Sequence, residues 1–146
     1  MKREESVDYN IKAAWHAIAR MYNQQAVKHD ITTSIGFVLL NIDSSEGTPA
    51  TKIAPLMGLE ARSLTRMLKS MEEKGLIYRK QDENDRRSIR IYLTETGKKK
   101  KEVSRQVVKL FNKAVREKIA EKDLKVFFSV ITDINEIIEK NSIYKQ

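Results

Sequence analysis

Ile53-Ala54-Pro55-Leu56-Met57-Gly58-Leu59 leads into an amphipathic run from Glu60 to Gly75. Leu76-Ile77-Tyr78-Arg79, Asn84-Asp85-Arg86-Arg87, an alternating Ile89 to Leu93 and the closing Thr94-Glu95-Thr96-Gly97 follow. The spacing predicts two short helices with a tight turn at Gly58, then a β-hairpin. In the second helix Leu64, Met67, Leu68 and Met71 recur at i, i+3, i+4, i+7, the pattern of a face that packs on a core. Its other side holds Arg62, Ser63, Thr65, Arg66 and Lys69. Leu76 to Lys80 and Ser88 to Leu93 read as strands, with Ile89, Ile91 and Leu93 on one face and a polar tip from Gln81 to Arg87. Helix, turn, helix and basic hairpin make a winged helix-turn-helix, which places one helix and one hairpin on adjacent DNA grooves.

Outward from this stretch the chain is helical. Tyr9, Ala13, Ala14, Ala17, Ile18, Met21 and Tyr22 give Ser6 to about Lys28 a helical stripe, broken at His29-Asp30. Thr32 or Thr33 can cap a second helix through Asn41. Thr48-Pro49 reads as a helix start, a capping hydroxyl before a first-turn proline. Pro55 predicts a kink or an early end, because it removes a helical hydrogen bond. Lys98 to Lys118 and Glu121 to about Lys140 are two further helices, the last with a wide apolar surface. One small domain cannot cover such terminal helices, so a second copy of the chain is expected to do so. The fold class is therefore mainly α with a small β-hairpin wing. Residues 1–146 form a single unit, 31–97 a winged helix-turn-helix core, and 6–29 with 98–146 the dimerisation helices.

The net charge of +8 is unevenly placed. Residues 1–59 are neutral, whereas Glu60 to Lys101 holds 13 Lys/Arg against 7 Asp/Glu. Concentrated positive charge on a helix-plus-wing is the footprint of phosphate contacts. No cysteine is present, which excludes disulfides and thiolate chemistry. Met1-Lys2-Arg3-Glu4-Glu5 is followed by no signal-peptide core, and no run approaches the ~18–20 apolar residues of a membrane span. A cytoplasmic location without membrane partners is expected.

The side-chain types suit duplex DNA. Ser63 and Thr65 can reach base edges or phosphates, and Arg62 or Arg66 can pair bidentately with guanine. Lys69, one turn on, is placed for phosphate, which positions a helix without reading sequence. Arg86, Arg87 and Arg90 belong to the hairpin, where a guanidinium fits a narrow minor groove. Asp85 is expected to hold a neighbouring arginine through charge-assisted hydrogen bonds, or to be an ordinary turn carboxylate.

Asp85-Arg86-Arg87, Leu93-Thr94 with Gly97, and Glu72-Glu73-Lys74-Gly75-Leu76-Ile77 together carry a resemblance. The chain resembles the MarR family of bacterial and archaeal transcription regulators. The resemblance implies a homodimer with interlocked terminal helices that binds a pseudo-palindromic operator, usually as a repressor. It implies that Arg87 enters the minor groove, that Asp85 supports it, and that Ser63, Thr65 and Arg66 lie on the recognition helix. It also implies release of DNA by a small, often aromatic or anionic, effector bound beside the dimerisation helices. Pro55 departs from the commonest pattern of the family.

Trp15, His16, Arg20 and Tyr22 on the first helix would suit an aromatic carboxylate, although helical aromatics equally pack in cores. An enzyme is not expected. His16 and His29 are the only histidines, and neither a metal-ligand cluster nor a glycine-rich phosphate loop occurs, so no cofactor or metal is predicted. Asp82, Glu83 and Asp85 read as a solvated turn. The alternative class is a winged-helix adaptor that binds protein rather than DNA.

Overall fold

Each helix begins and ends where its side chains allow. In the computed structural model, which describes residues 1–145, α1 spans Val7–Lys28. It stops before Asp30, which takes φ 59°, a left-handed conformation that a short polar side chain tolerates. α2 covers Thr33–Leu40, and its cap is Thr32, whose hydroxyl oxygen accepts the Ile35 N–H at 3.1 Å. α3 (Ala50–Met57) and α4 (Ala61–Glu73) are followed by Gly58 and Gly75, as their spacing predicts.

The start of α3 differs from the sequence expectation. Thr48-Pro49 does not cap the helix but forms a two-residue strand, β1. The Thr48 hydroxyl oxygen instead accepts the Asp43 N–H at 2.9 Å. Two residues are too few to show alternation, so nothing local distinguishes this strand from a helix start. α3 runs past Pro55 and ends two residues later at Met57.

β2 (Ile77–Gln81) and β3 (Ile89–Leu93) form the hairpin, and β1 joins it to give an antiparallel sheet in the order β1-β3-β2. The register pairs Ile77 with Leu93 and Gln81 with Ile89, while Thr48 faces Ile91 and Pro49 faces Arg90. Ile35, Val38 and Leu39 of α2, Ile53 of α3, and Leu64, Leu68 and Met71 of α4 bury against Ile77, Ile91 and Leu93. Each such side chain contributes about 1.5–3 kcal/mol of hydrophobic stabilisation. That burial decides which side of α4 turns inward and so which side faces solvent. Ile89 shares the face of Ile91 but is 47% exposed, since it lies beyond the core toward the hairpin tip.

The Leu93-Thr94 and Gly97 signature has a local physical cause. The Thr94 hydroxyl donates to the Gly75 carbonyl at 2.6 Å and accepts the Gly97 N–H at 3.0 Å, which caps α5 (Glu95–Lys118). A Cβ on Gly97 would stand 2.0 Å from the Leu76 carbonyl oxygen, so only glycine lets the first turn of α5 pass the end of α4.

Two compact units divide the chain, Met1–Val107 and Val108–Gln146. The first half of α5 thus belongs to the same unit as α1–α4 and the sheet. In the second unit the rest of α5 is followed by α6 (Glu121–Glu139), where Leu124 is buried. Leu110, Val126, Phe127, Phe128, Val130, Ile137 and Ile138 of that unit are all exposed. In the first unit Ala13, Ala14 and Ala17 of the α1 stripe are exposed, Tyr9, Ile18 and Met21 are half-buried and Tyr22 is buried, while Val7, Ile11 and Trp15 of α1 are also exposed.

Candidate nucleic-acid interface

The exposed side of α4 carries the five residues expected there. Arg62, Ser63, Thr65, Arg66 and Lys69 all face solvent, opposite buried Leu64, Leu68 and Met71. Arg62, Arg66 and Lys69 make no ion pair or hydrogen bond among the described residues. The Thr65 hydroxyl donates to the Ala61 carbonyl at 2.9 Å and keeps its oxygen as an acceptor.

The hairpin tip, 82–88, is held by two aspartates with different tasks. Asp85 accepts the Arg87 backbone N–H at 3.0 Å and the Ser88 hydroxyl at 3.1 Å. It therefore supports Arg87 through the main chain and not, as expected, through its guanidinium. The Gln81 amide donates to the Arg86 carbonyl at 2.6 Å, which fixes the other side of the tip. The side chains of Arg86 and Arg87 project from this stitched turn, exposed and without a partner among the described residues.

Asp82 is the carboxylate that meets an arginine. It is buried, contrary to its reading as part of a solvated turn. Its Oδ1 accepts the Asn84 N–H at 2.9 Å, and its Oδ2 lies 3.2 Å from the Arg90 Nε. The Asn84 N–H is the main force holding its carboxyl below the ordinary value; burial opposes this, and Arg90 lowers it further. Arg90, expected among the DNA-binding residues, is thus engaged by partners within the chain. Its guanidinium also donates to the Glu46 and Gly47 carbonyls at 3.2 and 3.3 Å.

Other cations of the basic segment are also committed internally. Lys100 donates to the His29 carbonyl and Lys101 to the Ile42 carbonyl, each at 2.6 Å. These are the carbonyl-rich ends of α1 and α2, where positive charge is favourable. Arg79 pairs with Glu72 at 3.3 Å and Lys98 with Glu95 at 3.4 Å. Among the described cations of 60–101, Arg62, Arg66 and Lys69 on α4, Lys74 at its end, Arg86 and Arg87 at the hairpin tip and Lys99 on α5 are left exposed without such a bond.

The residues considered for an effector do not converge. Trp15 and Tyr22 flank Phe37 of α2, with ring centroids 6.0 and 5.8 Å away. His16 and Arg20 are exposed and, at 100° per residue, lie on another side of α1. Burial raises the Tyr22 phenol above its ordinary value. Trp15 stays 50% exposed beside Phe37, so half of its indole is open to solvent. Sequence reasoning missed Phe37, a half-buried ring whose partners lie on a different helix.

With this geometry in place, the sequence model of the MarR family matches residues 31–89, from the turn after α1 to the first residue of β3. Over that segment the chain is similar to the MarR family. Among curated relatives, the HTH-type transcriptional regulator SarZ of Staphylococcus aureus (strain USA300) is 29% identical over 128 residues. That alignment spans 87% of this chain and 82% of SarZ. The HTH-type transcriptional regulator TtmR of Methylorubrum extorquens (strain PA1) is 32% identical over 90 residues, 62% of this chain but only 46% of TtmR. The fold matches the Staphylococcus aureus MepR–DNA complex with TM-score 0.82 and 22% identity, covering 90% of this chain and 97% of MepR. These curated relatives are transcriptional regulators, and the chain has the winged-helix fold of the MepR structure. Among the described residues no helix is long and apolar enough to cross a membrane.

Proposed function

We propose that this chain is a sequence-specific, double-stranded-DNA-binding repressor that acts as a homodimer on a pseudo-palindromic operator. The observation that carries the reading is the pairing of two sets of unpartnered cations on one fold. Arg62, Arg66 and Lys69 lie along the outer side of α4, and Arg86 and Arg87 lie on a turn fixed by Asp85 and Gln81. α4 enters the major groove, with Ser63, Thr65, Arg62 and Arg66 toward base edges and Lys69 toward phosphate. The hairpin tip enters the flanking minor groove with Arg87 leading. Uncovered apolar side chains on α1 and on α6 give a second copy something to bury. Two half-sites would then lie about one helical turn apart, ~34–36 Å.

Release by a small aromatic or anionic molecule fits the half-open indole of Trp15 beside Phe37. Such a molecule would act by favouring one of two separations of the recognition helices. A titration of Trp15 fluorescence with an aromatic carboxylate tests this part; an unchanged signal and melting temperature count against that ligand class.

The test of the main reading is a salt-dependent titration of DNA from the upstream region of the protein's own gene against an unrelated duplex of equal length. Preferential binding that weakens steeply with salt and saturates at one dimer per site supports it. Equal, weak binding to both duplexes at every salt concentration would instead favour the protein-binding adaptor.

A further inference from the structure

The pairing of β1 with β3 ends at Pro49, opposite Arg90, and the hairpin tip projects beyond that last pair. Pro49 has no N–H to extend the ladder. Beyond that pair the Arg90 side chain links the base of the tip to the loop before β1. It holds Asp82 at the base of the tip with Nε and the Glu46 and Gly47 carbonyls with one terminal nitrogen.

The other side of this bridge is rigid. Asp43 accepts the Ser45 and Glu46 N–H groups at 2.9 and 2.7 Å, and the Gly47 N–H returns to the Asp43 carbonyl at 3.1 Å. Gly47 is buried with φ 68°, and a Cβ there would meet the Ile91 carbonyl oxygen at 2.6 Å and the Tyr92 ring at 2.8 Å. The loop therefore presents two carbonyls in a fixed place to a planar fork of donors, a match that an ammonium cannot reproduce.

We propose that Arg90 and Asp82 form a positioning clamp that sets the angle of the wing, making Arg90 a specificity-determining residue that never touches DNA. The clamp holds the turn from which Arg86 and Arg87 project, so it fixes where their guanidinium groups meet the minor groove. This inference rests on the DNA-binding reading above.

The experiment compares Arg90→Lys, Arg90→Ala and Asp82→Asn with the unaltered chain. Affinity is measured on duplexes whose flanks are A/T-rich or G/C-rich, and hydrogen exchange is followed at the tip. Arg90→Lys keeps the charge, so a phosphate contact would survive it and the clamp would not. Asp82→Asn keeps an oxygen for the Asn84 N–H and adds one unit of positive charge, so electrostatics alone would tighten binding. The clamp predicts that all three variants lose about ten-fold of the preference for A/T-rich flanks, the scale of one charge-assisted contact. It also predicts faster exchange at the Asp82 and Ser88 amides, whose partners lie at 2.9 and 3.0 Å, with α4 unchanged. Wild-type behaviour of Arg90→Lys, or tighter binding by Asp82→Asn, overturns the clamp. If the unaltered chain prefers no duplex, the DNA reading and the specificity role fail together. Exchange then judges the clamp alone, and unchanged exchange at the tip overturns it.

Discussion

Arg87 and Arg90 stand three residues apart in one hairpin and carry the same charge, yet the structure gives them opposite tasks. Arg87 leaves a turn whose backbone is tied down by Asp85, and its own guanidinium is free. Arg90 reaches back to Asp82 and to two carbonyls of the loop after α2. The same contrast recurs between Arg66, open on α4, and Lys100 and Lys101, whose ammonium groups close the ends of α1 and α2. In a basic chain, the useful quantity is the charge left without an internal partner rather than the total charge.

The sharpest way to break this comparison is Arg87→Ala. It is expected to lower affinity for an operator with A/T-rich flanks by ~10-fold or more, since hydrogen bonds to charged groups are worth about 1.5–3 kcal/mol. Melting temperature should not move. Equal losses on A/T-rich and G/C-rich flanks would remove Arg87 from the minor groove.

A second effect falls on stability. Gly97→Ala brings a methyl group against the Leu76 carbonyl and is expected to destabilise by about 1–3 kcal/mol or more. Chemical denaturation would show this as a lower midpoint; a midpoint equal to that of the unaltered chain would contradict the close approach of α5 to the end of α4.

Lys101→Met sharpens the contrast from the other side. Loss of the bond to the Ile42 carbonyl should cost about 1.5 kcal/mol of stability, the lower end for a hydrogen bond from a charged group. Binding of the folded protein to DNA should change far less than with Arg87→Ala. A larger loss of affinity than of stability would return Lys101 to the DNA face.

The smallest effect concerns acid. The carboxyl of Asp82 is lowered, chiefly by the Asn84 N–H, so its contribution is fully present above the ordinary aspartate value of ~3.9. It is lost only as pH falls through the lowered value. The Arg90 Nε–H resonance should therefore hold its shift on acidification until below the usual aspartate range. A transition at or above that range would mean that the Asn84 N–H and Arg90 do not stabilise the Asp82 carboxylate in solution, and no transition at all would mean that Asp82 does not hold Arg90.

Much of this architecture was legible from local pattern. The α4 stripe of Leu64, Met67, Leu68 and Met71 fixed its inner side, and the hairpin and helix ends at Gly58 and Gly75 followed from turn chemistry. What escaped was non-local. Lys101 and Ile42 are 59 residues apart, and Arg90 and Glu46 are 44 apart, so no window of sequence joins them. Asp82 and Asp85 are both carboxylates in one polar turn, and only the path of the chain assigns Arg90 to the first. Thr48-Pro49 satisfies the rules of a helix start as well as those of a short strand. His16 and Arg20 share α1 with Trp15 and Tyr22, but a helix separates residues that sequence places side by side.

The most direct test of the central claim is the slope of log binding constant against log salt concentration for the unaltered chain, Arg87→Ala and Lys100→Met. Each phosphate contact contributes about 0.9 to that slope on duplex DNA. The unaltered chain should show a steep slope, Arg87→Ala one shallower by about one contact, and Lys100→Met the slope of the unaltered chain. Equal reductions in both variants would show that internal pairing does not decide which cations serve DNA.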